Sequence, residues 1–359
     1  MVLVIVHEAG HFFTAKKFGI RVDEFGFGFP PKLFGIKKGE TEYSVNALPF
    51  GGFVKIFGEN PDDENTNGPD KDRSFVNKPR WQQALVLVAG VVANFLLAWL
   101  LFSFGLMSGL PSSVGTVPAE YLHDVNLVVV SVSAESPAEV AGLKSGDKII
   151  SVKHTGSKGE VSELAEITPD GLRSFVLAHG TSPIDIGYKR GKSSEAVVYA
   201  SVVPSVKNGN PVIGISMDEI GMAKLPIFKA FWEGLKLDWF VLKSTVSGLF
   251  GLLGGALKGE GSLSSVTGPV GMVGIVGEAT KFGFSYLMSF AALISVNLAV
   301  INLLPFPALD GGRLFFLLIE KIKGSRIPAK IANGANLVGF VLLITLMLAV
   351  TLHDVLKLF

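Results

Sequence analysis

Two histidines four residues apart, with a glutamate after the first, form His7-Glu8-Ala9-Gly10-His11 near the start of the sequence. On a helix, side chains four apart lie on one face about a turn from each other, so both imidazoles can hold a single zinc ion. Glu8 then sits where it can take a proton from a water on the metal. A catalytic zinc needs a third protein ligand and one open position. The chain has no cysteine, so that ligand must come from His, Asp or Glu. Asp310 is the candidate. It ends a long apolar run in NLLPFPALDGGR at 302–313, where two prolines remove helix donors and force irregular backbone. The plain alternatives are a solvated helix end for the histidine motif and a helix-capping carboxylate for Asp310.

The elements that must position these residues are apolar. Of 359 residues, 48% are apolar and only 18% charged, with a mean hydropathy of +0.46. About a quarter of a soluble protein is charged. Uncharged stretches at 84–107, 282–309 and 331–352 each exceed the roughly 20 residues that cross a bilayer core as a helix. A fourth apolar run, MVLVIV, directly precedes His7. It reads as the tail of a membrane helix whose first half is missing, and a secretory signal would carry charge first and then a longer apolar run. Ionisable residues inside such a helix are costly and functional by default. The fold class expected is a polytopic α-helical membrane protein with four transmembrane helices, the first shortened, at 1–20, 81–109, 282–312 and 331–353.

Between the helices the composition changes. Residues 21–80 are polar and rich in Gly and Pro, with strand-like runs at 43–49 and 52–57 and an acidic loop at 59–73. They predict a membrane-associated β region. Residues 111–206 alternate β-branched runs with turns. Strands are expected at 128–132, 148–152 and 196–203, with a short helix after Ser136-Pro137 and another over 169–179. The segment 225–280 predicts an amphipathic helix lying on the membrane, then a Gly-rich loop lining a site or buried in protein.

Charge sets the topology. Lys16, Lys17, Arg21, Lys32, Lys37 and Lys38 follow the first helix, while Lys78 and Arg80 precede the second. Arg313, Lys321, Lys323, Arg326 and Lys330 join the third and fourth. The positive-inside rule makes these flanks cytoplasmic and the 111–206 domain extracytoplasmic. His11 precedes Lys16 by five residues and Asp310 precedes Arg313 by three. At about 1.5 Å per residue, both lie within a turn or two of the cytoplasmic edge. The net charge of +1, with basic residues dispersed, gives no argument for a nucleic-acid partner. His123, His154 and His179 read as surface residues without ligand spacing, Glu59 as a loop acid, and His353 as interfacial.

The pairing of H-E-x-x-H near the start with N-x-x-P-x-P-x-L-D-G near the end resembles the site-2 protease family of intramembrane zinc metalloproteases. Within it the likeness is greatest to the bacterial regulator of sigma-E protease. It extends over nearly the whole chain. FGFGFPPK at 25–32, PFGGFVK at 49–55 and Gly58-Glu59 look like the family's β region. Phe75, Lys78-Pro79-Arg80, Ala89-Gly90 and Asn94 look like the start and face of its second helix, and AGLKSGDKII at 141–150 resembles its PDZ domain. The resemblance implies His7, His11 and Asp310 as zinc ligands and Glu8 as general base. It implies substrate binding by Asn297, Asn302, Pro305, Pro307 and Asn94, and capture of an unwound substrate as a strand added to the β region. Single-span membrane proteins, such as anti-sigma factors or remnant signal peptides, would be the substrates. Val91 stands where the family usually has proline, and only one PDZ-like stretch is present where well-known relatives carry two.

Two other function classes compete. A proton-coupled transporter could use His7, Glu8, His11 and Asp310 as a relay, but it would show repeated membrane halves and has no use for a PDZ-like domain. A catalytically silent scaffold would bind membrane proteins through that domain, and loss of Glu8 or a ligand would point to it. All four residues are intact.

Overall fold

Helix α1 (Val2–Lys17) carries Lys16 and Lys17 in its last turn, where cations oppose the helix dipole. A computed structural model describes it and the rest of the chain except residues 61, 157–158, 192–195, 208, 259–267, 269–270, 273–275, 278–283 and 357–359. The described chain divides into two units. One comprises Met1–Ser103, Gly234–Gly277 and Met288–Phe359, the other Phe104–Glu233 with Glu278–Leu287.

In the first unit, β1 (Val22–Lys38) and β2 (Thr41–Ile56) pair antiparallel. Both bend, so four segments lie side by side in the order 52–56, 22–27, 42–45, 34–37. The far end of this sheet exposes Leu33, Phe34, Ile36, Val45 and Leu48, a patch that water alone would penalise. A short helix α2 (Asp63–Asn67) follows, capped by Asp62 accepting from the Asn65 amide at 2.8 Å. The long helices are α3 (Arg80–Ser108), α6 (Ile227–Leu257), α7 (Phe284–Leu303), α8 (Asp310–Lys323) and α9 (Ala329–Leu356), with α4 and α5 in the second unit. Phe12 and Ala15 of α1, Val22, Val54 and Ile56 of the sheet and Val86 and Leu87 of α3 share one core, with Leu314 and Leu317 of α8 against it. That core fixes α1, α3 and α8 to one another.

Among the described residues, α3, α7 and α9 are long and apolar enough to cross a membrane, with hydropathies of 2.5, 1.9 and 2.4. Helix α1 has 16 residues, about 24 Å of helix, and falls below that length. The segment expected as one helix over 282–312 is two. Helix α7 stops at Leu303 and α8 starts at Asp310, because Pro305 and Pro307 lack amide protons and bias the residues before them away from helix. Helix α6 runs unbroken for 31 residues, exposing Phe228, Trp232, Trp239 and Phe240. Most of the Gly-rich loop expected after it lies outside the described residues.

The second unit is a sheet in the order β3 (Leu110–Ser113), β11 (Ile215–Ala223), β4 (Leu122–Val132), β5 (Lys148–Thr155), β7 (Ile184–Lys189), β8 (Val198–Val202). Strand β6 (Val161–Glu163) pairs with β5, and β9 (Ser205–Lys207) with β10 (Asn210–Val212) forms a separate hairpin. Helix α4 (Pro137–Val140) is capped by Ser136, and α5 (Pro169–His179) by Thr168, whose side chain accepts from the Gly171 amide at 3.1 Å. Residues alternate across the strands, so Ile184 and Ile186 turn inward with Val129, Val152, Leu172 and Val202. The sheet extends past the expected limit of 206. Strand β11 lies between β3 and β4, but its sequence ISMDEIGMA carries two acids and a glycine, which blur the alternation that marks a strand.

Asp147 in this unit is fully buried, and the Arg190 guanidinium meets both its oxygens at 2.6 and 2.7 Å. Arg190→Ala would leave the carboxylate buried with only the Lys144 amide for support. It is expected to destabilise this domain by about 3 kcal/mol or more, read as a fall in the midpoint of chemical denaturation.

Candidate metal centre

Helix α1 turns His7 and His11 onto its buried side, with ring centroids 4.7 Å apart and planes at 85°. His11 Nδ1 lies 2.8 Å from the Val86 carbonyl oxygen of α3. A carbonyl only accepts, so Nδ1 holds the proton and the neutral ring keeps a lone pair on Nε2. His7 Nδ1 faces the Asn94 side-chain amide at 3.4 Å, and the Asn94 oxygen is buried without another partner. Turned so that this oxygen accepts from Nδ1–H, the amide satisfies both groups and frees His7 Nε2 likewise. Ser295 of α7 donates to the Asn94 carbonyl at 2.9 Å and ties that stretch of α3 in place.

The third group arrives from the break between α7 and α8. Ala308 is held at φ 75°, in the left-handed region, at a cost of roughly 1–2 kcal/mol. Its amide donates to Asn336 Oδ1 of α9 at 3.2 Å. The chain can turn this tightly because glycines surround the turn. A Cβ on Gly312 would lie 2.7 Å from the Phe306 carbonyl carbon, and one on Gly339 2.7 Å from that of Pro307. The turn delivers Asp310 as the first residue of α8, its Oδ2 at 3.1 Å from His7 Nε2 and 3.2 Å from His11 Nε2. The two Nε2 atoms are themselves 3.2 Å apart.

Three ligating atoms thus form a near-equilateral triangle. Bonds of about 2.0–2.1 Å at tetrahedral angles place ligand atoms about 3.3 Å apart, which the triangle matches closely. Asp310 Oδ2 is buried and has no hydrogen-bond partner. A metal cation between them would satisfy two nitrogen lone pairs and a carboxylate oxygen facing one another. The donor set suits zinc, with nitrogen and oxygen ligands and a face left for substrate.

Glu8 is half-buried beside His7 on α1. The edge segment of the sheet passes next to it, and a Cβ on Gly52 would lie 4.0 Å from Glu8 Cγ. Asn302 Nδ2 is 3.2 Å from His7 Nε2, at the triangle. Asn297 instead accepts from Thr245 of α6 at 2.9 Å. Five residues on a helix rotate a side chain by about 140°, so the two asparagines serve different sides of α7. Pro305 is exposed and Pro307 half-buried in the turn. Asn94 is fully buried behind His7 rather than open to a substrate.

The sequence alone assigned no role at the centre to four further residues. Gly90 of α3 faces both rings, and a Cβ there would lie 2.7 Å from His11 Cε1 and 2.8 Å from His7 Cε1. Gly10 lets α1 approach α3 equally closely, since its Cβ would meet the Ala89 carbonyl carbon at 2.7 Å. The Val86 carbonyl holds His11, and Thr245 holds Asn297. Glu59, read as a loop acid, forms an ion pair with Arg313, three residues beyond Asp310.

The family model described as Peptidase family M50 matches residues 1–346. The chain is 39% identical to a protein of Clostridium perfringens whose name gives zinc metalloprotease as a provisional assignment, over 98% of this chain and 95% of that one. It is 29% identical to Zinc metalloprotease RasP of Geobacillus kaustophilus, over 99% of this chain and 96% of the relative. The same identity and coverage hold for Regulator of sigma-W protease RasP of Bacillus subtilis.

Proposed function

The chain belongs to peptidase family M50, and on that premise we propose that His7, His11 and Asp310 hold its zinc, with Glu8 as general base. The protein is an intramembrane zinc metalloprotease of the site-2 type, a multi-pass membrane protein that hydrolyses membrane-embedded substrates. The observation that carries the site assignment is the triangle of lone-pair atoms 3.1–3.2 Å apart around an otherwise unpartnered Asp310 oxygen.

When bound, zinc supplies Lewis acidity, polarising a carbonyl and making water acidic near neutral pH. Glu8 accepts the proton of the attacking water and returns it to the leaving amine nitrogen, so that no strong base is released. The water's oxygen bonds to the scissile carbonyl carbon as the C–N bond breaks. Asn302 steadies the substrate backbone at the reacting bond. Asn94 acts one step back, holding the His7 ring through Nδ1. Asn94→Ala is expected to weaken zinc affinity by about 10–100-fold, measured by competition with a chromophoric chelator, and to leave substrate KM nearly unchanged.

A membrane-spanning substrate keeps its peptide bonds satisfied within its own helix, so it must unwind before cleavage. The 52–56 segment has no second strand partner among the described residues, and it runs past Glu8. Added there as a strand, the substrate gains main-chain hydrogen bonds as it loses helical ones. Helix α1 serves as the first of four membrane helices, the exposed apolar end of the β1–β2 sheet dips into the bilayer, and the second unit is a PDZ-like domain. Lys16, Lys17 and the basic residues between α8 and α9 put the metal centre toward the cytoplasm and the PDZ-like domain outside it. Anti-sigma factors and remnant signal peptides fit the substrate class, being single spans. Chelator treatment of the detergent-purified protein is expected to abolish cleavage of a single-span substrate, and zinc to restore it. Cleavage that survives complete zinc removal would overturn the assignment.

A further inference from the structure

Two histidines of the second unit, 25 residues apart in sequence, come together in space. His154 lies on β5 and His179 ends α5, with ring centroids 4.6 Å apart. His154 Nδ1 is 2.8 Å from the Pro183 carbonyl oxygen, and His179 Nδ1 is 2.8 Å from that of Phe175. Each Nδ1 therefore donates its proton to the backbone, leaving each Nε2 as the ring's free ligating atom in the neutral imidazole. This is the arrangement that metal-binding histidines usually share, an outer hydrogen bond fixing tautomer and ring orientation.

The chain supplies its own standard for comparison. His7 and His11 have the same centroid spacing to within 0.1 Å, at 4.7 Å against 4.6 Å. His11 uses the same device, an Nδ1 bond to a backbone carbonyl. A metal–nitrogen bond of about 2.05 Å puts an imidazole centroid about 3.2 Å from the ion, so two rings are about 4.5 Å apart at a right angle and about 5.2 Å at a tetrahedral one. Both pairs fall in that interval. An ion there would also lie at the C-terminal end of α5, where the helix dipole favours positive charge. Packing accounts for part of the contact, since Phe175 stacks on His179 at 4.2 Å, but it does not require both Nδ1 atoms to be anchored.

We propose that His154 and His179 form a second metal site, separate from the catalytic zinc, that takes an imidazole-seeking divalent cation such as Zn²⁺ or Cu²⁺ through the two Nε2 atoms, with water completing the shell. Its ion links β5 to the end of α5. With only two protein ligands the site is weaker and more open than the first, and Cu²⁺ binds it more tightly than Zn²⁺.

Equilibrium dialysis of the full chain in detergent against Zn²⁺ tests this directly. Wild type is expected to hold two ions per chain, and His154→Asn and His179→Asn one each. Asparagine keeps an amide donor near the Nδ1 position and removes Nε2. His11→Ala is also expected to hold one ion, through the second site. Should the asparagine variants misfold, Cu²⁺ added to the His7→Ala/His11→Ala chain provides an independent reading, since electron spin echo spectra report the remote nitrogens of coordinated imidazoles. Two imidazoles on one copper support the proposal. A single zinc in wild type, two in both asparagine variants, or copper without paired imidazoles would overturn it and leave the catalytic assignment untouched.

Discussion

Replacing Glu8 with glutamine is expected to slow peptide hydrolysis by about 10²–10⁴-fold while zinc content stays at the wild-type level. Glutamine keeps the length and polarity of the side chain and cannot accept the proton. The proposed ligands are elsewhere, on His7, His11 and Asp310, so the metal should not be lost. Substrate binding should also survive, because the proposed capture at the edge strand is through main-chain groups. The expected kinetic signature is a lower kcat with little change in KM. A relay in a transporter would give a different result, since cleavage would then be absent from wild type too. Zinc loss in Glu8→Gln would make Glu8 a ligand rather than a base.

Gly90→Val should be nearly as damaging, although Gly90 supplies no side chain to the centre. The added Cβ would fall 2.7 Å from His11 Cε1 and 2.8 Å from His7 Cε1, well inside contact distance, and both obstacles are the ligating rings themselves. Valine adds two methyl groups to that clash and has almost one rotamer on a helix, so it cannot turn away. The rings must tilt, breaking the triangle, or α1 must withdraw from α3. Zinc at the centre of His7, His11 and Asp310 is expected to drop below a tenth of wild type, with cleavage falling in proportion. Val91→Ala, one residue away on the same helix, is the control and should leave both near normal. Full zinc at that centre in Gly90→Val would show that α1 and α3 are not closely packed there.

The chemistry was legible because it is local. His7 and His11 are one turn apart on a single helix, and Asp310 between prolines and glycines stands out at the end of an apolar run. The three long apolar helices were legible for the same reason, since length and the absence of charge suffice. Features that depend on distant segments meeting were not. Nothing near Asn94 in sequence shows that its side chain backs His7, or that Glu59 reaches Arg313. His154 and His179 lack ligand spacing because β5, the loop before β7 and the end of α5 bring them together only after the sheet has formed. Asn297 and Asn302 share a helix and a residue type, and only the 140° or so between them separates their surroundings. The helix break after Leu303 was half legible, as Pro305 and Pro307 predict irregular backbone but not where the helix resumes. Resumption at Asp310 depends on Gly311 and Gly312, whose missing side chains let α8 start against the turn.

X-ray absorption at the zinc edge, on the purified chain in detergent, tests the metal centre most directly. The expected spectrum has a first shell of nitrogen and oxygen at about 2.0–2.1 Å, with imidazole scattering that fits two rings in protein holding one zinc per chain, and loss of that zinc in His11→Ala and Asp310→Ala. An all-oxygen shell without imidazole scattering, or a spectrum unchanged when His11 or Asp310 is replaced, would contradict it.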